Sequence, residues 1–293
     1  MTMSAKDKAR LPVTKTPKVY IGGAFVRSES ARTFKISSAD GAFFANIPQC
    51  TRKDLRNAVE AAAKAGPGWA RRTPYNRAQI LYRLAEMIEA RSGELVDSLV
   101  LFGARRVDAE KGMGVAVDRL IHYAGWADKY EQLLGSVNPV ASPHFNFTVT
   151  EPMGVVGVIA PDSPPLLGLL SMVAPVIACG NTVVALASEK VPYPSILLGE
   201  MLATSDLPGG VVNLLTGFRR ELVPTFATHA HLRAIYAAVE GEERKALRLG
   251  AAASVKRVRF ADAGAGWFGD SAQGLEAIRA FVELKTTWHP IGS

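Results

Sequence analysis

The chain is poor in the residues that cross-link proteins or bind metals. It has two cysteines, Cys50 and Cys179, and five histidines among 293 residues. Two cysteines are too few for a disulfide framework, and this favours a reducing, cytoplasmic location. The histidines lack the spacing of metal ligands, since His229 and His231 are the only close pair and a solvated loop explains them. No metal site is predicted.

The sequence also lacks a hydrophobic run of membrane-spanning length. The longest uncharged candidate, 164–179, has about sixteen residues, contains Pro175 and ends at Gly180. A transmembrane helix needs about 20 apolar residues, so this segment is predicted to be a buried crossover helix. Because no apolar segment follows the basic N-terminus, a secretory signal is not expected either.

Positive charge is concentrated at the N-terminus, in residues 1–17, although the net charge of +7 is moderate. Pro12 and Pro17 break this segment, and no aromatic residues are interleaved with its lysines. We interpret it as a mobile, solvated tail rather than a nucleic-acid-binding arm, which stays the less favoured alternative. The whole chain is 48% hydrophobic, which supports a sizeable core.

Hydrophobic periodicity divides the rest of the chain into two parts. A hairpin is predicted at 19–26, followed by helices at 58–65, 75–101 and 108–132. From Phe145 onward, short apolar strands alternate with helical segments. The strands are predicted at 155–160, 182–187, 211–215, 232–237 and 255–260, and the helices at 166–179, 195–204, 221–229 and 242–249. This order predicts an α/β fold with a doubly wound, mainly parallel sheet of about five strands.

Ligands of such sheets bind beyond the carboxyl ends of the strands. Here those ends are predicted around Pro161, Ser188, Thr216 and Val239. A second candidate is the spacing Gly264-x-Gly266-x-x-Gly269 after the last strand, a formal dinucleotide fingerprint. We favour the first location, because Trp267 and Phe268 would crowd a pyrophosphate at the fingerprint and too little chain follows it for a Rossmann half.

Several segments together resemble aldehyde dehydrogenases. They are 20–23 (YIGG), 151–161 (EPMGVVGVIAP), 174–184 (APVIACGNTVV), 207–217 (LPGGVVNLLTG) and 274–288 (GLEAIRAFVELKTTW). The resemblance covers the chain from about residue 18 onward. It implies an NAD-binding domain at 18–262, with a projecting hairpin at 135–150, and a linker with a C-terminal strand at 263–293.

The tail that resembles the family's C-terminus follows the last predicted strand after only about twenty residues. In the family, the intervening region is a domain that carries the nucleophilic cysteine, so the resemblance implies that this domain is missing. Neither remaining cysteine is expected to replace it. Cys179 lies at a helix C-terminus among apolar residues, which disfavours a thiolate, and Cys50 has no histidine or acid pattern around it.

The cofactor positions depart from the family pattern as well. The family's Pro-Trp-Asn is Pro161-Asp162-Ser163, and its ribose-binding lysine is Leu186. Where the family has a Gly-Ser pair at the diphosphate, this chain has the segment 237–240 (AAVE), in which Val239 and Glu240 would crowd and repel a diphosphate. The glutamate that activates water falls near Ala261, with Asp262 beside it. The resemblance leaves three cofactor-binding candidates, Ile159, Pro161 and Glu189, and implies no cofactor or only weak binding of NAD or NADP.

These observations predict a pseudoenzyme without catalytic residues. The retained hairpin 135–150 and tail 281–288 imply assembly with a full-length aldehyde dehydrogenase subunit, for which this chain would be a structural or regulatory partner. Two alternatives remain. One is a nucleotide-binding sensor, which the sheet and Glu189 favour. The other is a weak NAD(P)-dependent oxidoreductase or an enzyme with new chemistry at Asp162, Ser163 or Asp262.

Overall fold

The computed structural model describes residues 15–261 and 266–292, and all structural statements below concern this part of the chain. The strands are β1 Val19–Ile21, β2 Ala24–Val26, β3 Thr33–Ser37, β4 Phe43–Pro48, β5 Ser136–Asn138, β6 His144–Pro152, β7 Val155–Ile159, β8 Thr182–Leu186, β9 Val212–Leu215, β10 Leu232–Ala237, β11 Arg257–Phe260 and β12 Val282–Pro290. The helices are α1 Arg52–Ala70, α2 Pro74–Ala90, α3 Ser92–Leu101, α4 Arg106–Trp126, α5 Tyr130–Leu134, α6 Pro165–Ala178, α7 Tyr193–Thr204, α8 Arg219–Thr228, α9 Gly241–Ala252 and α10 Leu275–Arg279.

The central sheet has the strand order β11-β10-β7-β8-β9-β1-β2. Its first five strands are parallel, which confirms the predicted doubly wound sheet. The predicted hairpin 19–26 also forms, but it extends this sheet, because Tyr20 pairs antiparallel with Leu214 of β9. The side chain of Asn213 holds the turn in place by accepting a 2.8 Å hydrogen bond from the Gly22 N–H.

Helices cover both faces of the central sheet and enclose two hydrophobic cores. On one face, α6 and α7 pack against the strands, and α2 and α4 cover them. On the other face, α1, α8 and α9 pack against the strands. Almost every residue of α6 is buried, as predicted for the apolar segment 164–179. Among the described residues, no helix has both the length and the apolar character that crossing a membrane requires.

Two of the predicted helices are each divided in two. The segment 75–101 forms α2 and α3, because Arg91 leaves the helical conformation with φ −117° and ψ 18°. The apolar stripe continues across this break, so periodicity alone could not reveal it. The Arg91 guanidinium at the break bonds Glu94 and Glu200. Similarly, the segment 108–132 forms α4 and α5.

A second, three-stranded antiparallel sheet has the order β12-β6-β5. We call it the small sheet. It joins the predicted hairpin 135–150 to the predicted tail, and all nine residues of β12 pair with β6. One detail of the tail 281–288 needs correction. Phe281 is not part of the strand but is fully buried against Tyr236, with ring centroids 5.3 Å apart, and the strand runs from Val282 to Pro290.

Candidate cofactor crevice

The carboxyl ends of β7, β8, β9 and β10 meet at one edge of the central sheet, where parallel α/β sheets bind ligands. We call the space between the loops that follow these strands the crevice. Of the three predicted cofactor-binding residues, Pro161 and Glu189 lie at this edge. Ile159 is the last residue of β7 and is fully buried in the core below α8, so its side chain is part of the packing.

Asp162 ties two of these loops together. Its Oδ1 accepts a 2.8 Å hydrogen bond from the Ser188 hydroxyl and a 3.0 Å hydrogen bond from the Glu189 N–H. Such charge-assisted bonds are about twice as strong as neutral ones. The carboxylate therefore faces the loop after β8. It is not positioned beside Ser163, which is exposed at the start of α6.

Arg219, the first residue of α8, completes the connection. One of its terminal nitrogens donates a 2.7 Å hydrogen bond to the Ala160 carbonyl and lies 3.1 Å from Asp162 Oδ1. The Arg219 side chain is 13% exposed and that of Asp162 is 21% exposed, so solvent screens this ion pair less than a surface pair. The guanidinium thus lies across the carboxyl end of β7.

Carboxylates surround Arg219. Glu189 accepts a 2.7 Å hydrogen bond from the Arg219 N–H at the start of α8, where the helix dipole favours an anion. Burial raises the pKa of Glu243, the Arg219 charge opposes this rise, and the neighbouring Glu189 and Asp162 charges add to it. Asp162 and Glu189 therefore both contact Arg219, through its side chain and its backbone, and Glu243 lies close enough to feel all three charges.

These residues do not fit a dinucleotide diphosphate. The N-termini of helices bind phosphate through free N–H groups and flexible glycines. Here the Arg219 N–H is already bonded to Glu189, and α9 begins after Val239, which is buried, and the acidic Glu240. A diphosphate in the crevice would face several carboxylates and one cation that is already paired.

Neither cysteine has the environment of a nucleophile. Cys50 and Cys179 are fully buried, and burial raises the pKa of each thiol to about 12. The Cys179 thiol donates to the Pro175 carbonyl over 3.2 Å, and the Asn181 amide donates to its sulfur over 3.1 Å. Both thiols would be almost fully protonated at neutral pH, so the structure confirms that they are buried core cysteines.

The other sequence candidates do not assemble into a reactive group. Asp262 and Gly264, the first glycine of the formal fingerprint, lie outside the described residues. Ser163 borders a groove of about 490 Å³ between α6, the start of α4 and Phe268, and the charged residues that line this groove are Arg105 and Asp108. Arg105 and Asp108 pair with each other at 2.6 Å. Within the described ranges, no cluster of three or more potential metal ligands occurs.

Sequence reasoning missed Arg219 and Glu243. Both lie in helices after the strands, several residues beyond the positions that it examined. The only available signal was an arginine directly after Thr216-Gly217-Phe218, a charged residue where a loop at the edge of the sheet begins its helix. A pattern of this kind does not show which carboxylate the guanidinium reaches.

The match to a family model agrees with this fold. Residues 25–264 match the aldehyde dehydrogenase family, and the chain belongs to that family of NAD(P)-dependent oxidoreductases. It is 34% identical over 256 residues to a 2-hydroxymuconic semialdehyde dehydrogenase of Pseudomonas sp. (strain CF600), covering 83% of this chain and 51% of the relative. It is 35% identical over 225 residues to retinal dehydrogenase 2 of Gallus gallus, covering 73% of this chain and 42% of the relative.

Solved structures show the same relationship. An NAD+ complex of an aldehyde dehydrogenase from Bacillus cereus superposes with a TM-score of 0.81 at 26% identity, covering 89% of this chain and 53% of that one. A betaine aldehyde dehydrogenase from Staphylococcus aureus, in complex with NAD+, gives 0.80 at 25% identity, covering 84% and 50%. The chain thus spans about half the length of the relatives it matches.

Proposed function

We propose that this chain is a non-catalytic member of the aldehyde dehydrogenase family that assembles with a full-length aldehyde dehydrogenase as a structural or regulatory subunit. The observation that carries the proposal is the small sheet. Only residues 261–281 separate β11 of the cofactor domain from β12, yet β12 pairs along its whole length with β6. The element that serves assembly in the family is present here without the domain on which, in the family, it would be seated.

Apolar side chains on one face of the small sheet support a docking role. Residues paired across neighbouring strands project from the same face. In the strand register, Val137 lies opposite Phe147 and Val149 lies opposite Lys285, so the members of each pair project from the same face of the sheet. Together with Phe145, whose ring centroid lies 5.4 Å from that of Phe147, these residues form what we call the phenylalanine face. Its members are Val137, Phe145, Phe147 and Val149.

The opposite face of the small sheet is held together by polar contacts. The hydroxyls of Thr148 and Thr286 lie 2.9 Å apart, and the Asn138 amide donates to Asn146 over 2.6 Å. Leu284 and Trp288, the apolar residues of the tail strand, lie on this same face among these polar side chains. The phenylalanine face is therefore the better candidate for contact with a partner.

The exposure of side chains on the phenylalanine face is what we expect of a surface that a partner chain covers in the assembled state. Val137 is 68% exposed and Phe145 is 45% exposed. A group of apolar side chains exposed on one surface is typical of a protein–protein interface. In addition, β12 is an edge strand, so its outer backbone groups can pair with a strand of another chain. A catalytic domain of a related subunit offers both kinds of contact.

The crevice favours this proposal over the alternatives. A nucleotide-binding sensor would need an accessible phosphate site, and an oxidoreductase would need a thiolate as well. The carboxylates around Arg219 disfavour the first, and the buried Cys50 and Cys179 disfavour the second. An assembly role needs neither a phosphate site nor a thiolate.

Co-expression with a full-length aldehyde dehydrogenase of the same host tests the proposal. We expect one complex in size-exclusion chromatography with light scattering, at a mass that includes both chains. Removing residues 284–293 should abolish the complex, while circular dichroism shows a folded chain, because Phe281 and Val282 of the core remain. Separate elution of the two intact chains at micromolar concentration would refute the proposal.

A further inference from the structure

We propose that Arg219 is a built-in occupant of the crevice, and that its guanidinium closes the crevice to dinucleotides by holding the Ala160 carbonyl and the Asp162 carboxylate. The inference concerns the crevice alone. It does not depend on a partner subunit, so it can fail while the proposed assembly role holds.

Geometry is the first support. The guanidinium reaches over the end of β7, where it bonds the Ala160 carbonyl at 2.7 Å and lies 3.1 Å from Asp162. Asp162 in turn holds the Ser188 hydroxyl and the Glu189 N–H of the next loop. The loops after β7, β8 and β9 are thereby joined through one side chain. A ligand that enters between them must first displace Arg219.

Charge is the second support. If Arg219 were withdrawn, Asp162 would lose its only ion-pair partner among the described residues, and Glu243 would lose the positive charge that offsets those of Glu189 and Asp162. An incoming diphosphate would add two further negative charges. The residues that the ligand would uncover therefore repel it, so displacement is unfavourable at both steps.

An opposite role for Arg219 has to be considered, because arginine often binds phosphate. Its terminal nitrogen is already bonded to Ala160 and Asp162, and its Nε is buried without a hydrogen-bond partner. Both edges of a guanidinium that can hold a phosphate with two nitrogens, Nε with Nη2 and Nη1 with Nη2, include the Nη2 that Ala160 and Asp162 occupy, so neither edge is free. The contacts favour a closing role over a phosphate-binding one.

Calorimetric titration with NAD+ of three variants separates these roles. The first, Asp162→Asn/Val239→Gly/Glu240→Ser, opens the start of α9, removes the carboxylate that would otherwise be left unpaired without Arg219, and keeps Arg219 itself. The second adds Arg219→Ala. The third adds Arg220→Ala instead, which removes the same charge from the adjacent, exposed arginine. We expect the second variant to bind NAD+ at least tenfold more tightly than the other two.

Each other outcome overturns the inference. Equal binding by the first and second variants would show that Asp162, Val239 and Glu240 close the crevice without Arg219. Weaker binding after Arg219→Ala would show that Arg219 is a phosphate ligand. Absence of binding by a folded second variant would show that Arg219 is not the barrier.

A milder change guards against a second variant that does not fold. Arg219→Lys keeps the charge but cannot make both contacts in the same geometry, and when it is added to the first variant it should bind NAD+ more tightly than the first variant does. No gain with a folded lysine variant would also refute the inference. Co-elution of the Arg219 variants with the dehydrogenase, measured in parallel, reports on the assembly role separately.

Discussion

The side-chain amide of Asn181 donates a 2.8 Å hydrogen bond to the carbonyl oxygen of Phe281, which lies a hundred residues further along the chain. The same side chain accepts a 2.9 Å hydrogen bond from the Gly154 N–H, between β6 and β7. Asn181 is fully buried. One side chain therefore fixes the start of β12 to the turn between β6 of the small sheet and β7 of the central sheet. In this way it aligns β12 with β6.

We predict that Asn181→Ala destabilises the chain and loosens β12. The change leaves the Gly154 N–H and the Phe281 carbonyl without this partner, and each buried unsatisfied group costs about 1–3 kcal/mol. Chemical denaturation gives the free energy of unfolding, and hydrogen exchange gives the protection of β12. The exposed Asn46 provides the control, since Asn46→Ala should change stability by less than about 0.5 kcal/mol. Undiminished protection of β12 would contradict the prediction.

We predict that neither thiol reacts in the folded chain. Burial raises the pKa of Cys50 and Cys179 to about 12, so an aromatic disulfide reagent at pH 8 should label them only as fast as the chain unfolds. Labelling rates measured with and without low concentrations of denaturant test this. A fast phase in the native protein that Cys50→Ala or Cys179→Ala removes would show an accessible thiol.

The same thiols predict a loss of stability at high pH. Their folded pKa lies above the unfolded value of about 8.5, so the folded state binds more protons between these values. The contribution is complete below about pH 8.5 and is lost as pH rises toward 12, by up to about 1.4 kcal/mol per pH unit for each thiol. Denaturation curves at pH 8, 9 and 10 should show a shallower decline in Cys179→Ala than in the wild type. Equal slopes would exclude this linkage.

We predict that the isolated chain oxidises no aldehyde with NAD+ or NADP+ above background. The expectation follows from the protonated, buried thiols and the carboxylates in the crevice. Nicotinamide fluorescence with short, aromatic and semialdehyde substrates measures it, with a full-length family member as the positive control. Turnover that Cys50→Ala or Cys179→Ala abolishes would be decisive against it.

We predict that Val149→Asp prevents association with the full-length dehydrogenase. The change places a charge on the phenylalanine face, where a partner would have to bury it. Val107→Asp is the matched control, because Val107 is also exposed but lies at the start of α4. That 21-residue helix places it about 30 Å from the helix end nearest the small sheet. Equal co-elution of both variants would locate the interface elsewhere.

The parallel strands were predictable because each is a short run of apolar residues between turns, and burial on both faces demands such runs. The pairing of β1 with β9 was not, since three-residue strands carry little pattern and their contacts are distant in sequence. The crevice was partly predictable. The location of Val239 and Glu240 at this edge of the sheet followed from their positions after a predicted strand. The contact of Arg219 with Asp162, in contrast, depends on how two loops approach each other in space.

The open edge of β12 has a consequence for cellular abundance. As an edge strand, β12 directs the backbone groups of alternate residues outward, and these form a template on which further strands can add, including those of other copies. A bound partner removes that template and, by mass action, shifts the population toward the assembled form. If the proposed assembly holds, production of this chain in excess of its partner would leave a surplus exposed to self-association and proteolysis, so the two genes would have to be expressed in proportion.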